Sequence, residues 1–70
     1  MAEANKEIIK TLKKEYKNVF FYPPNYYVCN IDGVGFDVFE GLKFRTTVLS
    51  LNALCEWFKE ELKDELKEKN

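Results

Sequence analysis

Around one tight turn, Asp32-Gly33, the middle of the chain alternates between apolar and polar positions, and this pattern predicts a β-hairpin. A two-residue Asp-Gly loop favours a type I′ turn, because both central residues of that turn need positive φ. This turn pairs Ile31 with Val34, which gives the hairpin one wholly apolar face. The residues predicted on that face are Tyr27, Cys29, Ile31, Val34, Phe36 and Val38. The opposite face mixes polar residues with large aromatic ones, and the same register pairs Tyr26 with Phe39 there.

Further strands are predicted on both sides of this hairpin. Residues 19–22, Val-Phe-Phe-Tyr, are strand-forming and stop at Pro23-Pro24, since proline cannot donate to a ladder. Residues 42–46 alternate again, with Lys43 and Arg45 on one side. We interpret this segment as a fourth short strand, and a loop that crosses the sheet is the alternative.

Apolar residues at helical spacing predict an amphipathic helix near each end of the chain. For the first helix, residues 3–17, Asn5 is the expected N-cap, although residues 3–4 could extend the helix by a turn. The last helix is expected to begin after an N-cap at Ser50 or Thr47. The first apolar stripe consists of Ile8, Ile9, Leu12 and Tyr16. The second consists of Leu51, Leu54, Cys55, Phe58, Leu62 and Leu66.

These elements predict one α+β domain over residues 1–70, in the order α-β-β-β(-β)-α. Sequential strands joined by short turns usually pair as neighbours, which predicts an antiparallel meander. Each helix has one apolar stripe that needs cover, so we expect both helices on the apolar hairpin face, as a two-layer sandwich. The second face of the sheet would then be open to solvent.

This open face is the candidate functional site. Its predicted large side chains form a patch of the size that marks interaction sites on monomers. They are Phe20, Tyr22, Tyr26, Val28 and Phe39. The partner-binding residues that we predict are Phe20, Tyr22, Tyr26 and Phe39, with Lys43 and Arg45 at the rim. Burial against a protein partner or a second copy of the chain is one interpretation; stacking of nucleobases and simple decoration of a half-exposed sheet are the others.

Composition and charge exclude several classes of function. The net charge of −1 gives no whole-chain attraction to nucleic acid or to an anionic membrane. The chain has no histidine, and the carboxylates of the predicted sheet region, Asp32, Asp37 and Glu40, have no accompanying nucleophile. We therefore expect no enzyme activity, cofactor, metal or small-molecule substrate. Because no apolar run approaches the roughly 20 residues of a spanning helix and the N-terminus lacks a signal-peptide core, a cytoplasmic location is expected.

The two cysteines, Cys29 and Cys55, lack the spacing of a metal site. Cys29 lies on the apolar hairpin face and Cys55 in the stripe of the last helix, so we expect both to be buried, reduced thiols. A disulfide between them and a reactive thiol are the alternatives.

The predicted element order resembles that of the double-stranded-RNA-binding domain, a family that binds A-form RNA through a Gly-Pro-x-His-type loop and a lysine cluster at the start of its last helix. Here the loop is Asp32-Gly33, and the last helix opens with residues 50–53, Ser-Leu-Asn-Ala. The resemblance is therefore one of topology. It implies a nucleic-acid-binding domain as the alternative function.

The sequence as a whole predicts a small non-enzymatic protein-binding domain of the regulator or inhibitor type, which uses the open aromatic face. Small, lysine-rich, histidine-free proteins of this kind are often encoded by phages and mobile elements. A protein partner or a homodimer is the expected assembly, and membrane binding is not expected.

Overall fold

Four consecutive antiparallel strands form the centre of the protein, in the sheet order β1-β2-β3-β4. The computed structural model describes the backbone of residues 3–69 and the side chains of residues 3–63. Its elements are α1 (Lys6–Leu12), β1 (Asn18–Tyr22), β2 (Tyr26–Ile31), β3 (Gly35–Glu40), β4 (Lys43–Val48) and α2 (Leu51–Lys69). The α+β class and the antiparallel meander are confirmed, and the segment interpreted as a fourth strand is β4.

Side-chain caps fix where both helices begin. The Asn5 side-chain oxygen accepts hydrogen bonds from the backbone N–H groups of Glu7 (2.9 Å) and Ile8 (3.3 Å), as expected of an N-cap. Ser50 Oγ accepts from Ala53 N at 3.1 Å, whereas Thr47 belongs to β4. Helix α1 is shorter than predicted, because the chain turns directly after Leu12. Leu66 lies outside the residues whose side chains are described.

The hairpin between β2 and β3 has a different register from the predicted one. Ile31 pairs with Gly35, not with Val34, and the Val34 N–H donates to the carbonyl of Ile31 at 3.0 Å. Gly33 has φ of +72°, but Asp32 does not have positive φ, so the turn is not type I′. The loop therefore contains three residues, 32–34, and Val34 lies exposed at its end.

This one-residue difference turns every side chain of β3 to the other face, because side chains alternate along a strand. Tyr27 now pairs with Phe39, and Tyr26 pairs with Glu40. The predicted pairing of Tyr26 with Phe39 on one face is therefore wrong, and these two aromatic residues lie on opposite faces of the sheet.

The two helices also lie on opposite faces, which corrects the predicted two-layer arrangement. On one face, α1 packs against Tyr27 and Cys29 through a cluster that includes Leu12. On the other, α2 packs against Tyr26 and Val28. The first four residues of β2 are all buried, so apolar side chains on both of its faces must be shielded from water. A helix on each face of the sheet provides this burial. The protein has three layers: helix, sheet and helix.

Neither helix of residues 3–69 combines the length and the apolar character needed to cross a membrane.

Candidate binding groove

A groove lies where α2 leaves part of its sheet face uncovered, beside the edge strand β1. Phe20 and Tyr22 of β1 are 57% and 43% exposed there. Leu51, in the first turn of α2, is 64% exposed. The groove encloses about 550 Å³. Its lining residues are Phe20, Phe21, Tyr22, Val28, Phe36, Leu51, Leu54, Cys55, Phe58 and Lys59.

Phe58 of α2 forms the boundary between this groove and the core. Its ring stacks on that of Tyr22, with centroids 4.3 Å apart and planes inclined by 19°. Its other contacts are edge-on, to Tyr26 at 5.3 Å and to Trp57 at 5.2 Å. Phe58 is itself buried, so the groove is lined by rings that the core holds in place.

The groove surface is largely apolar and carries few polar groups. Lys59 lies at its margin, where its ammonium group is 3.5 Å from a carboxylate oxygen of Glu56. Cys55 contributes an exposed, free thiol. Burying the apolar side chains of another molecule against such a surface is favourable, and the binding free energy that it contributes is roughly proportional to the apolar area removed from water.

Two of the four aromatic residues predicted for the site lie in this groove, and two do not. Phe20 and Tyr22 line it. Tyr26 is only 3% exposed, because Trp57 and Phe58 of α2 cover it. Phe39 lies on the α1 face, where its ring is 5.9 Å from that of Tyr16. The expectation that all four share an open face is therefore wrong.

The predicted basic rim is at the opposite edge of the sheet, on β4. Lys43 is exposed there. Arg45 instead links β4 to α2, because its guanidinium donates hydrogen bonds to both carboxylate oxygens of Glu61 in α2, each at 2.7 Å. It also donates to Glu40 at 2.6 Å. It also lies 5.4 Å from the centre of the Trp57 ring. The hydrogen bonds with Glu61 and then with Glu40 raise the pKa of Arg45.

Residues at the start of α2 belong to the groove although their spacing predicted a core position. Leu51 and Cys55 follow the same helical stripe as the buried Leu54 and Phe58, yet both are exposed. The expectation of a buried Cys55 is wrong, and that of a buried Cys29 is confirmed. A stripe marks the side of a helix that faces the sheet, but it does not show how far the sheet extends beneath it.

The α1 face contains a second polar arrangement, centred on Asp37. Its carboxylate accepts hydrogen bonds from Tyr16 Oη and from Thr47 Oγ1, each at 2.6 Å. The bond to Asp37 and burial both raise the pKa of Tyr16. Burial, followed by the nearby charge of Asp37, raises the pKa of Cys29 to about 12. These bonds join the segment that follows α1 to β3 and β4. Within the described residues, no group of three or more His, Cys, Asp or Glu could hold a metal.

The raised pKa of Cys29 predicts a loss of stability at alkaline pH. Folding favours the neutral thiol, so its contribution is complete below the ordinary pKa of 9.0 and is lost as the pH rises toward about 12. Between pH 9.5 and 10.5, the free energy of unfolding should fall about 1.4 kcal/mol per pH unit more steeply for the wild type than for Cys29→Ala. Urea unfolding followed by far-UV circular dichroism measures both slopes. Parallel slopes would show that Cys29 is not protected from ionisation.

No protein-family model matches this chain, and comparisons with curated proteins and with solved structures find no significant match.

Proposed function

We propose that the protein is a non-enzymatic protein-binding domain of the regulator or inhibitor type, and that its binding surface is the groove between β1 and α2. The observation that carries this proposal is the groove itself, about 550 Å³ lined by exposed aromatic and aliphatic side chains. An apolar side chain of a partner would bury Phe20, Tyr22 and Leu51 on entering it. Large apolar anchors that enter pockets supply most of the energy in protein interfaces.

The distribution of charge supports a protein partner over nucleic acid. Binding to phosphates requires cations beside the aromatic rings that stack on bases. The exposed lysines near the N-terminus lie in α1, which packs on the other face of the sheet, or in the segment directly after it, and none of them lines the groove. They are Lys6, Lys10, Lys13, Lys14 and Lys17. At the groove, Lys59 is adjacent to Glu56, which offsets its charge.

The carboxylates of the sheet region support a binding role rather than a catalytic one. Asp32 is exposed in the hairpin loop, Asp37 binds Tyr16 and Thr47 on the α1 face, and Glu40 pairs with Arg45. These three acids therefore lie in three separate environments. Their contacts are those of surface and structural groups, and none of the three lines the groove.

We also propose a cytoplasmic location. Cys55 is an exposed free thiol on α2, and Cys29 is buried on the other face of the sheet beneath α1. Since the sheet separates them, they do not form a disulfide with each other in this fold. An exposed thiol without a partner is typical of a reducing compartment.

Panning a displayed random-peptide library on the purified protein tests the proposal. We expect enrichment of peptides with aromatic or aliphatic anchors. A selected peptide should bind Leu51→Lys at least tenfold more weakly than the wild type, because an ammonium group would replace an apolar wall of the groove. Isothermal titration calorimetry measures both dissociation constants.

The matched control is Phe44→Lys, since Phe44 is a similarly exposed apolar residue (53%) on the far edge strand. It should bind the peptide as the wild type does. Equal binding by Leu51→Lys and the wild type would contradict the groove assignment. Micromolar binding of single-stranded or duplex RNA that weakens as salt rises would favour nucleic acid instead.

A further inference from the structure

The outer side of β1 is an unpaired strand edge. In the order β1-β2-β3-β4, β1 has a neighbour on one side, and no other strand within residues 3–69 lies beyond it. Every second residue of Asn18–Tyr22 therefore directs its backbone N–H and C=O groups outward. An unpaired row of this kind can hydrogen-bond to a further strand.

The two edges of the sheet differ in the features that prevent such pairing. Edge strand β4 carries Lys43 and Arg45, and its register shifts opposite Val38 and Phe39, which marks a bulge or irregularity. Charged residues and bulges are the usual protection of an edge. Edge strand β1 has no charged residue, no proline and a continuous register with β2. The unprotected edge is also the one beside the groove.

We propose that β1 pairs antiparallel with β1 of a second copy of this chain, with Phe20 opposite Phe20 of the second copy. The strand is complementary to itself in this register. Val19 lies opposite Phe21 of the second copy, and Asn18 opposite Tyr22, so that strand-forming residues meet. Lys17 lies opposite Pro23 and not opposite another cation, so the pairing brings no like charges together.

The symmetry of this dimer joins the two grooves. A two-fold axis that relates antiparallel neighbours is perpendicular to their shared sheet, so α2 of both copies lies on the same face. The two Phe20 side chains then form the floor between two grooves. The inference that the joined groove is a binding site rests on the proposed function. The inference that the two β1 strands pair does not.

The exposed area sets the strength of this dimer. The exposed parts of Phe20 and Tyr22 amount to roughly 200 Å² per copy, since an aromatic side chain presents about 150–250 Å². With the strand backbone added, the buried surface stays below the approximately 800 Å² per partner of a standard interface. The dimer is therefore weak and reversible: it forms at high protein concentration and dissociates on dilution.

Disulfide cross-linking of Cys55→Ser variants tests the register. Facing residues of antiparallel strands have Cα atoms about 4.5–5.5 Å apart, within the range that a disulfide bridges. Phe20→Cys should therefore form a covalent dimer under mild oxidation. Asn18→Cys alone should not, because its copies would be about 13 Å apart along the strands. A mixture of Asn18→Cys and Tyr22→Cys should form the mixed dimer.

Sedimentation equilibrium of the purified protein gives an independent readout without engineered cysteines. The wild type and Phe44→Lys should associate at high concentration, and Phe20→Lys should remain monomeric. A monomeric wild type at 1 mM, or equal cross-linking of Phe20→Cys and Asn18→Cys, would overturn the proposal. A monomer whose peptide binding depends on Leu51 would refute the dimer alone; a dimer that binds no peptide would refute the proposed function alone.

Discussion

Gly35→Ala is expected to lower the free energy of unfolding by about 3 kcal/mol or more, because of both backbone strain and a collision. Gly35 has φ of +148°, a conformation that residues with a Cβ rarely adopt. A Cβ atom there would also collide with the carbonyl oxygen of Val48 and lie 2.9 Å from Cα of Leu49. Since β4 supplies this carbonyl, the clash forces two strands of the sheet apart.

Gly33→Ala is the matched control for this prediction. Gly33 also has positive φ, at +72°, but a Cβ at this position would have no atom within 4 Å. Its substitution should cost only about 1–2 kcal/mol, the strain of the left-handed region alone. Urea unfolding of both variants measures the difference. Equal losses at the two glycines would contradict the close approach of the end of β4 to Gly35 at the start of β3.

Phe58→Ala should have the second large effect, a loss of about 3–5 kcal/mol in the free energy of unfolding. The ring is buried and packs against Tyr22, Tyr26 and Trp57, so its removal leaves a cavity where α2 meets the sheet. Far-UV circular dichroism is the suitable probe, because it does not depend on Trp57, which contacts the deleted ring.

The control for Phe58→Ala is Leu51→Ala in the same helix. Leu51 is exposed, so its truncation should change stability by no more than about 0.5 kcal/mol. A small effect of Phe58→Ala, comparable to that of Leu51→Ala, would mean that α2 does not cover the sheet as described.

The strands and the last helix could be predicted from the sequence because they depend on local patterns. The first strand, the hairpin strands and the stripe of α2 follow from alternation and helical spacing alone. The N-cap at Asn5 is equally local, since it requires only a side-chain oxygen two or three residues before the bonded N–H groups.

The hairpin register could not be predicted, because it depends on a contact between distant segments. A two-residue loop at Asp32-Gly33 and a three-residue loop ending at Val34 both suit the local sequence. The second requires positive φ at Gly35 and places that residue against the carbonyl of Val48. In the register that the fold adopts, β4 lies against Gly35. The sequence does not reveal this contact.

The position of α2 is the other feature that the sequence analysis missed, although a signal was present. Residues Tyr26–Cys29 are four consecutive large or apolar residues, a run that is typical of a strand covered on both faces. Alternation in the neighbouring strands obscured this signal. The sequence analysis nevertheless predicted correctly that Phe20 and Tyr22 share a face. Residues two positions apart in β1 lie on the same face whichever register the hairpin adopts. Their role in binding stays a prediction.

Titration of the ¹⁵N-labelled protein with a peptide selected from the displayed library tests the proposed binding site most directly. Amide chemical shifts report which residues the peptide contacts. We predict that the largest shifts occur in β1 and in residues 51–59 of α2, on the two sides of the groove. Shifts centred on α1 or on residues 42–45, with β1 unchanged, would contradict the assignment of this groove as the binding surface.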